Sequence, residues 1–169
     1  MTIASFGHIR GAAADLLKKR QIVCPPVNVK EIARELGLEI MEMSLPPWFF
    51  GVLMEMEGDR YLVVNRLLSA ESKNFTIGHE IGHFVMHRDA ICYMKNSKRP
   101  YFHREADVFA AELCMPAEMV RREAEVWNYD HIFLAQRFNV TVTAMIRRLE
   151  ELKLIPQGYF NWQYGPSLT

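Results

Sequence analysis

The sequence is organised around one stretch, residues 79–87, which reads HEIGHFVMH. It contains the pattern H-E-x-x-H, and two histidines four positions apart on a helix lie on one face. His79 and His83 can therefore bind one metal ion, with Glu80 beside it as a general base for the attacking water. The alternative is an amphipathic helix whose histidines only pack, and a third ligand elsewhere would decide between the two.

The nearest further histidine, His87, lies on the same face but is too far away to be that ligand. Eight residues at 1.5 Å rise place it about 12 Å along the axis from His79, whereas metal–nitrogen bonds are about 2.0 to 2.1 Å long. His87 is then either an ordinary residue at the helix end, where the helix dipole favours it, or a residue with a role at the rim of the cleft. The third ligand must come from another element.

The best source of a third ligand is a helix predicted to begin at His103. His103 and Asp107 lie four positions apart on one face, with Glu105 between them. If His103 binds the metal, Asp107 can accept an N–H from a ligating histidine and fix its tautomer. Spacing alone keeps Glu105 as the fallback third ligand and leaves open an ordinary polar helix face.

The rest of the chain predicts an α+β fold. Ahead of the motif, the periodicity indicates two packing helices, a strand at residues 38–43 and a β-hairpin over 51–65, which together form a small, mostly antiparallel three-stranded sheet packed on the motif helix. Ser69 or Ser72 caps that helix. After it we predict a loop at 88–102 and helices at 103–113, 116–125, 130–138 and 141–152, followed by an aromatic tail at 159–162 that packs back on the body.

Composition excludes several classes of protein. The chain has 169 residues, of which half are apolar, and its 20 basic and 20 acidic residues lack the positive excess of a typical nucleic-acid binder. It contains no apolar run long enough to span a bilayer and no export signal at its start. Three widely spaced cysteines fit a reducing compartment. We expect a cytoplasmic protein with no membrane partner.

The C-terminal helices have the spacing of a helix-turn-helix, with Thr141 capping the second helix. Arg147 and Arg148 would face a groove, yet two glutamates follow them directly. This pattern favours a packing or target-docking role over a DNA reader, and direct nucleic-acid binding is not expected.

Two motifs together, residues 75–84 (FTIGHEIGHF) and 104–116 (READVFAAELCMP), resemble the ImmA/IrrE family of metallopeptidases. Shorter matches at 26–27, 32–37, 64–65 and 134–149 extend the resemblance over nearly the whole chain. It implies a zincin-like core with bound Zn²⁺ that cleaves a helix-turn-helix repressor of phage, mobile-element or stress-response genes. We assign that core to residues 1–126 and a C-terminal helical, helix-turn-helix-like subdomain to residues 127–169.

The resemblance also bears on the third ligand. The family's second helix has the pattern E-x-x-A-(D/N)-x-F-A, with its first glutamate as a zinc ligand. In this chain His103 occupies that position. The resemblance thus favours a ligand set of three histidines, His79, His83 and His103.

Two hypotheses for function follow. In the first, the protein is a zinc endopeptidase in which Glu80 is the catalytic base and a tyrosine or histidine stabilises the oxyanion. The candidates for that last role are His87, Tyr101, Tyr129 and His131. In the second, the protein regulates a transcription factor by binding it without proteolysis, and the metal is structural or absent.

Overall fold

The computed structural model describes residues 5–87 and 100–159. Its elements, in chain order, are α1 (Phe6–Lys19), α2 (Val29–Glu35), β1 (Leu38–Met43), β2 (Gly51–Met56), β3 (Asp59–Asn65), α3 (Ala70–Met86), α4 (Pro100–Cys114), α5 (Ala117–Val126), α6 (His131–Phe138) and α7 (Val142–Glu151). The predicted α+β class, with a small sheet beside the motif helix and further helices after it, is confirmed. Most of the predicted loop at 88–102 and of the aromatic tail lies outside the described residues.

The described sheet has the strand order β1-β3-β2 and is mixed rather than mostly antiparallel. β2 and β3 form the predicted antiparallel hairpin, whereas β1 pairs in parallel with β3. The cause is the crossing loop, residues 44–50, which carries the chain from β1 to the far edge of the sheet. β3 then returns between the two earlier strands and runs in the same direction as β1.

The crossing loop is fixed by the side chain of Asn65, which is only 1% exposed. Its Oδ1 accepts from the backbone N–H groups of Leu45, at 3.3 Å, and Leu67, at 3.2 Å. Its Nδ2 donates to the carbonyls of Leu45 and Pro46, both at 3.2 Å, and of Phe49, at 3.0 Å. One buried amide thus organises a loop that has no regular structure of its own.

The motif helix α3 packs closely against α4. Ser69 caps α3, its hydroxyl accepting from the Ser72 N–H at 3.2 Å. A Cβ added at Gly82 would lie 3.1 Å from Ala106 Cα, which shows how near the two backbones are. α4 begins at Pro100, three residues earlier than predicted, so His103 lies in its first turn. Pro100 suits that position, because its fixed φ and missing N–H cost nothing at a helix start.

The C-terminal helices return to α4 through a buried ion pair. The guanidinium of Arg148, 2% exposed, contacts the Glu112 carboxylate and donates from Nε to the Met115 carbonyl at 3.0 Å. Thr141 caps α7 as predicted, accepting from the Ala144 N–H at 3.2 Å. The division into residues 1–126 and 127–169 stays a prediction. None of the helices in the described ranges is long and apolar enough to cross a membrane.

Candidate metal centre

Three imidazole nitrogens converge where α3 meets the first turn of α4. His83 Nε2 lies 3.0 Å from His79 Nε2 and 3.3 Å from His103 Nδ1, and the third side of this triangle, from His103 Nδ1 to His79 Nε2, is 3.4 Å. Nitrogens bound to one tetrahedral ion, with bonds of about 2.0 to 2.1 Å, are about 3.3 Å apart. The three histidines therefore form a group that could hold a metal ion.

The electrostatics of this cluster favour neutral imidazoles. Burial is the largest effect on His83 and, with the neighbouring histidine charges, lowers its pKa to about 2. Burial also lowers the pKa of His103, followed by the charge of His79. A neutral imidazole keeps a free lone pair, which is the form that binds a metal.

Asp107 fixes the tautomer of His79. Its Oδ1 lies 2.8 Å from His79 Nδ1, on the side of the ring away from the cluster. Because a carboxylate only accepts, Nδ1 carries the proton and Nε2 points its lone pair at the cluster. The structure thus brings together the residues that the sequence predicted as ligands and the acidic residue predicted to support one of them.

The structure places His87 and Glu105 behind His83, away from the three-nitrogen cluster. His87 Nε2 lies 2.7 Å from Glu105 Oε2, and His87 Nδ1 lies 3.1 Å from His83 Nδ1. Both side chains are buried. His87 is the C-cap residue of α3, in agreement with the helix-end alternative. It does not lie at an open rim, because it is buried and its ring packs against that of Phe102 on α4. The carboxylate of Glu105, the fallback third ligand, contacts His87 and is not part of the three-nitrogen cluster.

Glu80 lies on α3 against the edge of the sheet and is 6% exposed. Burial raises its pKa to about 7, against the lowering effects of His79 and of the Leu53 N–H, which donates to the carboxyl group. β2 approaches α3 so closely here that a Cβ added at Gly51 would lie 2.7 Å from Thr76 Cγ2 and 3.5 Å from Glu80 Cγ. Neither Leu53 nor Gly51 was predicted to contact the site.

The proposed oxyanion candidates occupy different surroundings. Tyr101 is half-buried in the first turn of α4, and its ring packs against Phe102 with centroids 4.4 Å apart. His131 lies on α6 with its ring 5.5 Å from that of Tyr159. Tyr129 is exposed, just before α6.

The comparisons with known proteins identify the family of this chain. A peptidase family described as the IrrE N-terminal-like domain has a sequence model that matches residues 33–150. The chain belongs to this family. The chain is 26% identical, over 123 residues, to the uncharacterized immunity region protein 2 of Bacillus phage phi105. The match covers 69% of this chain and 75% of that relative.

The fold of this IrrE N-terminal-like protein is also similar to that of a solved structure, a Mycobacterium tuberculosis transcriptional regulator. The TM-score is 0.65 at 19% sequence identity, and the match covers 85% of this chain. The chain spans 47% of that longer protein. At this identity the similarity establishes a shared fold.

A cavity of about 470 Å³ lies near the site, although none of the three cluster histidines lines it. Asp107, the partner of His79, lies in its wall. The cavity's apolar lining is contributed by the crossing loop and by α3, α4 and α7, and Arg104 and Arg147 add positive charge. A cavity with this lining can accept an apolar side chain.

Proposed function

We propose that the protein is a cytoplasmic zinc endopeptidase that hydrolyses a peptide bond in a regulatory protein, a helix-turn-helix repressor of phage, mobile-element or stress-response genes. The observation that carries the proposal is the triangle of histidine nitrogens with a buried glutamate beside it. Membership of a peptidase family supports the reaction. The phage immunity relative supports the class of substrate.

His79, His83 and His103 are the proposed zinc ligands. Three neutral nitrogen ligands at tetrahedral spacing suit zinc, and three protein ligands leave the fourth position open, as catalytic sites require. Zinc held there would lower the pKa of a water and polarise the carbonyl of the scissile peptide.

Glu80 is the proposed general base. Its carboxylate takes a proton from the attacking water and passes it to the leaving amide nitrogen. Burial raises the pKa of Glu80 to about 7 in the metal-free protein. A zinc ion beside it would favour the carboxylate, which is the form that a general base requires. The Leu53 N–H holds the carboxyl group toward β2, which fixes the side on which the proton is taken.

The edge of β2 is the proposed binding site for the substrate backbone. The Asn65 N–H donates to the Phe50 carbonyl at 2.8 Å. In the antiparallel register of β2 and β3, every second residue of β2 then exchanges backbone hydrogen bonds with β3. Gly51, Leu53 and Glu55 then direct their backbone groups to the outer edge. The Leu53 N–H serves the catalytic glutamate, while the other two can hydrogen-bond an extended peptide as an added strand. The cavity near the site would take an apolar side chain of that peptide.

The test compares two variants on repressor-like proteins encoded near this gene. Glu80→Gln is expected to retain stoichiometric zinc, measured by elemental analysis, and to lose at least about 100-fold in cleavage rate. Glu71→Gln, on the partly exposed first turn of the same helix, is the matched control and should cleave normally. Full activity of Glu80→Gln would remove the proposal.

The same preparations distinguish the non-proteolytic alternative. If the purified wild type contains no stoichiometric zinc and His79→Ala leaves control of the repressor unchanged, the protein acts by binding alone. Loss of both zinc and repressor control in His79→Ala is the result expected of the peptidase.

A further inference from the structure

Behind His83, on the side away from the three-nitrogen cluster, two buried side chains form a chain of hydrogen bonds that the proposed reaction does not use. His83 Nδ1 lies 3.1 Å from His87 Nδ1, and His87 Nε2 lies 2.7 Å from Glu105 Oε2. The side chains of His87 and Glu105 are only 4% and 7% exposed. This series of hydrogen bonds begins at His83 on α3 and ends at Glu105 on α4.

The chemistry of the three groups sets the direction of every hydrogen bond. A carboxylate has only acceptor oxygens, so His87 Nε2 carries a proton and donates to Glu105. A neutral imidazole has one donor and one acceptor, which leaves His87 Nδ1 to accept. His83 must then donate from Nδ1, and its Nε2 is left with a lone pair that points into the cluster.

We propose that His87 and Glu105 are positioning residues that hold His83 in its zinc-binding tautomer and orientation. The inference rests on the proposed function, since it assumes that the cluster binds zinc. Partners behind a ligating histidine fix its tautomer and raise its basicity, and their loss weakens metal binding. In this protein a second histidine extends that support from α3 to a carboxylate on α4.

We call the hydrogen-bonded pair of His87 and Glu105 the relay. It has a counterpart in Asp107, which supports His79, and the two supports differ in burial. Asp107 supports His79 directly, but its side chain is 59% exposed, whereas both members of the relay are buried. Hydrogen bonds to charged groups are screened less in a buried environment than at the surface. Removing the charge of Glu105 should therefore weaken zinc binding more than removing that of Asp107.

The experiment measures the dissociation constant for zinc by competition with a chromophoric chelator. Glu105→Gln and His87→Leu are expected to bind zinc about 10- to 100-fold more weakly than the wild type, and Asp107→Asn to lose less. Glu112→Gln is the matched control, since this residue is also buried on α4, seven positions along, but pairs with Arg148. Its affinity for zinc should be unchanged, even though its melting temperature falls. Equal affinities of Glu105→Gln and Glu112→Gln would overturn the proposal.

A second measurement needs no variant. Nitrogen NMR of the zinc-free wild type should show a proton on His83 Nδ1 and on His87 Nε2, with the other nitrogen of each ring bare. A proton on His83 Nε2 overturns the relay even if zinc binds and cleavage occurs. Failure of the wild type to bind zinc would instead overturn the proposed function, while the tautomers would still report on the relay.

Discussion

Replacing Glu80 with glutamine should stabilise the metal-free fold, and the gain should depend on pH. The side chain is 6% exposed between α3 and β2, where a charged carboxylate is costly. Glutamine has nearly the same shape, keeps a carbonyl that can accept from the Leu53 N–H, and never carries the charge. The substitution that abolishes the proposed catalysis should thus strengthen the protein.

The magnitude follows from the pKa of the group. Burial raises the pKa of Glu80 from 4.5 to about 7. Because the folded protein holds this proton more tightly than the unfolded chain, the destabilisation is absent below pH 4.5 and grows until the pH passes about 7. At about 1.4 kcal/mol for each pH unit between the two values, ionised Glu80 costs the fold about 3 kcal/mol.

Urea unfolding of chelator-treated protein measures this difference. Glu80→Gln should exceed the wild type in free energy of unfolding by about 1 kcal/mol near pH 5 and by about 3 kcal/mol near pH 8.5. Glu39→Gln, an exposed change on β1, should show no such trend. Added zinc should narrow the gap, because a nearby cation favours the carboxylate. Equal stability of Glu80→Gln and wild type near pH 8.5 would refute the argument.

Three further predictions test the framework around the site. Gly82→Ala should weaken zinc binding and lower the melting temperature, because its Cβ would lie 3.1 Å from the α4 backbone. Its control is Gly11→Ala, where an added Cβ has no atom within 4 Å, and this change should stabilise the fold by about 0.5 to 1 kcal/mol. Asn65→Ala should lower the free energy of unfolding in urea by about 2 to 3 kcal/mol, because it leaves the backbone N–H and C=O groups of the crossing loop without their hydrogen-bond partner. Arg148→Met should cost about 3 to 5 kcal/mol in the same assay, because it leaves a buried carboxylate without its partner.

Local patterns predicted most of the elements, because their causes lie within a few residues of chain. Thr141 caps its helix as predicted, and Ser69, one of the two predicted candidates, caps α3; each accepts from the N–H three positions on. The pairing of β1 with β3 was not predicted. Alternation of apolar residues shows which face of a strand is buried but carries no information about its neighbour.

The same limit applies to the metal centre. His79 and His83 lie on one helix, so their common face follows from helix geometry alone. His103 and Glu105 are two residues apart, and their side chains point about 200° apart around α4. Which of them faces the cluster depends on how α4 is rotated against α3, and spacing could not decide this. Helix rise keeps His87 away from the cluster, but it carries no information about which residues of α4 bury His87.

The close approach of α4 to α3 has a signal in the sequence. Gly78 and Gly82 lie four apart on α3, and their nearest neighbours across the contact include Ala110 and Ala106, also four apart on α4. Small residues at such spacing allow two helices to approach closely. The pattern, set beside H-E-x-x-H, marks the face of α3 against which the helix with the third ligand packs.

This close approach of α4 to α3 also explains how a histidine at position 103 can reach a metal ion. His103 presents Nδ1, which is one bond nearer to its Cα than the carboxylate oxygen of a glutamate in the same place would be. A ligand with a shorter reach requires a nearer backbone, and metal–nitrogen distances tolerate a change of only about 0.2 Å. Any side chain at Gly82 would push α4 away and open the 3.3 and 3.4 Å sides of the triangle, both of which end on His103. The glycines of α3 and the histidine of α4 therefore act together: the proposed ligand set of three histidines depends on the distance that the glycines allow.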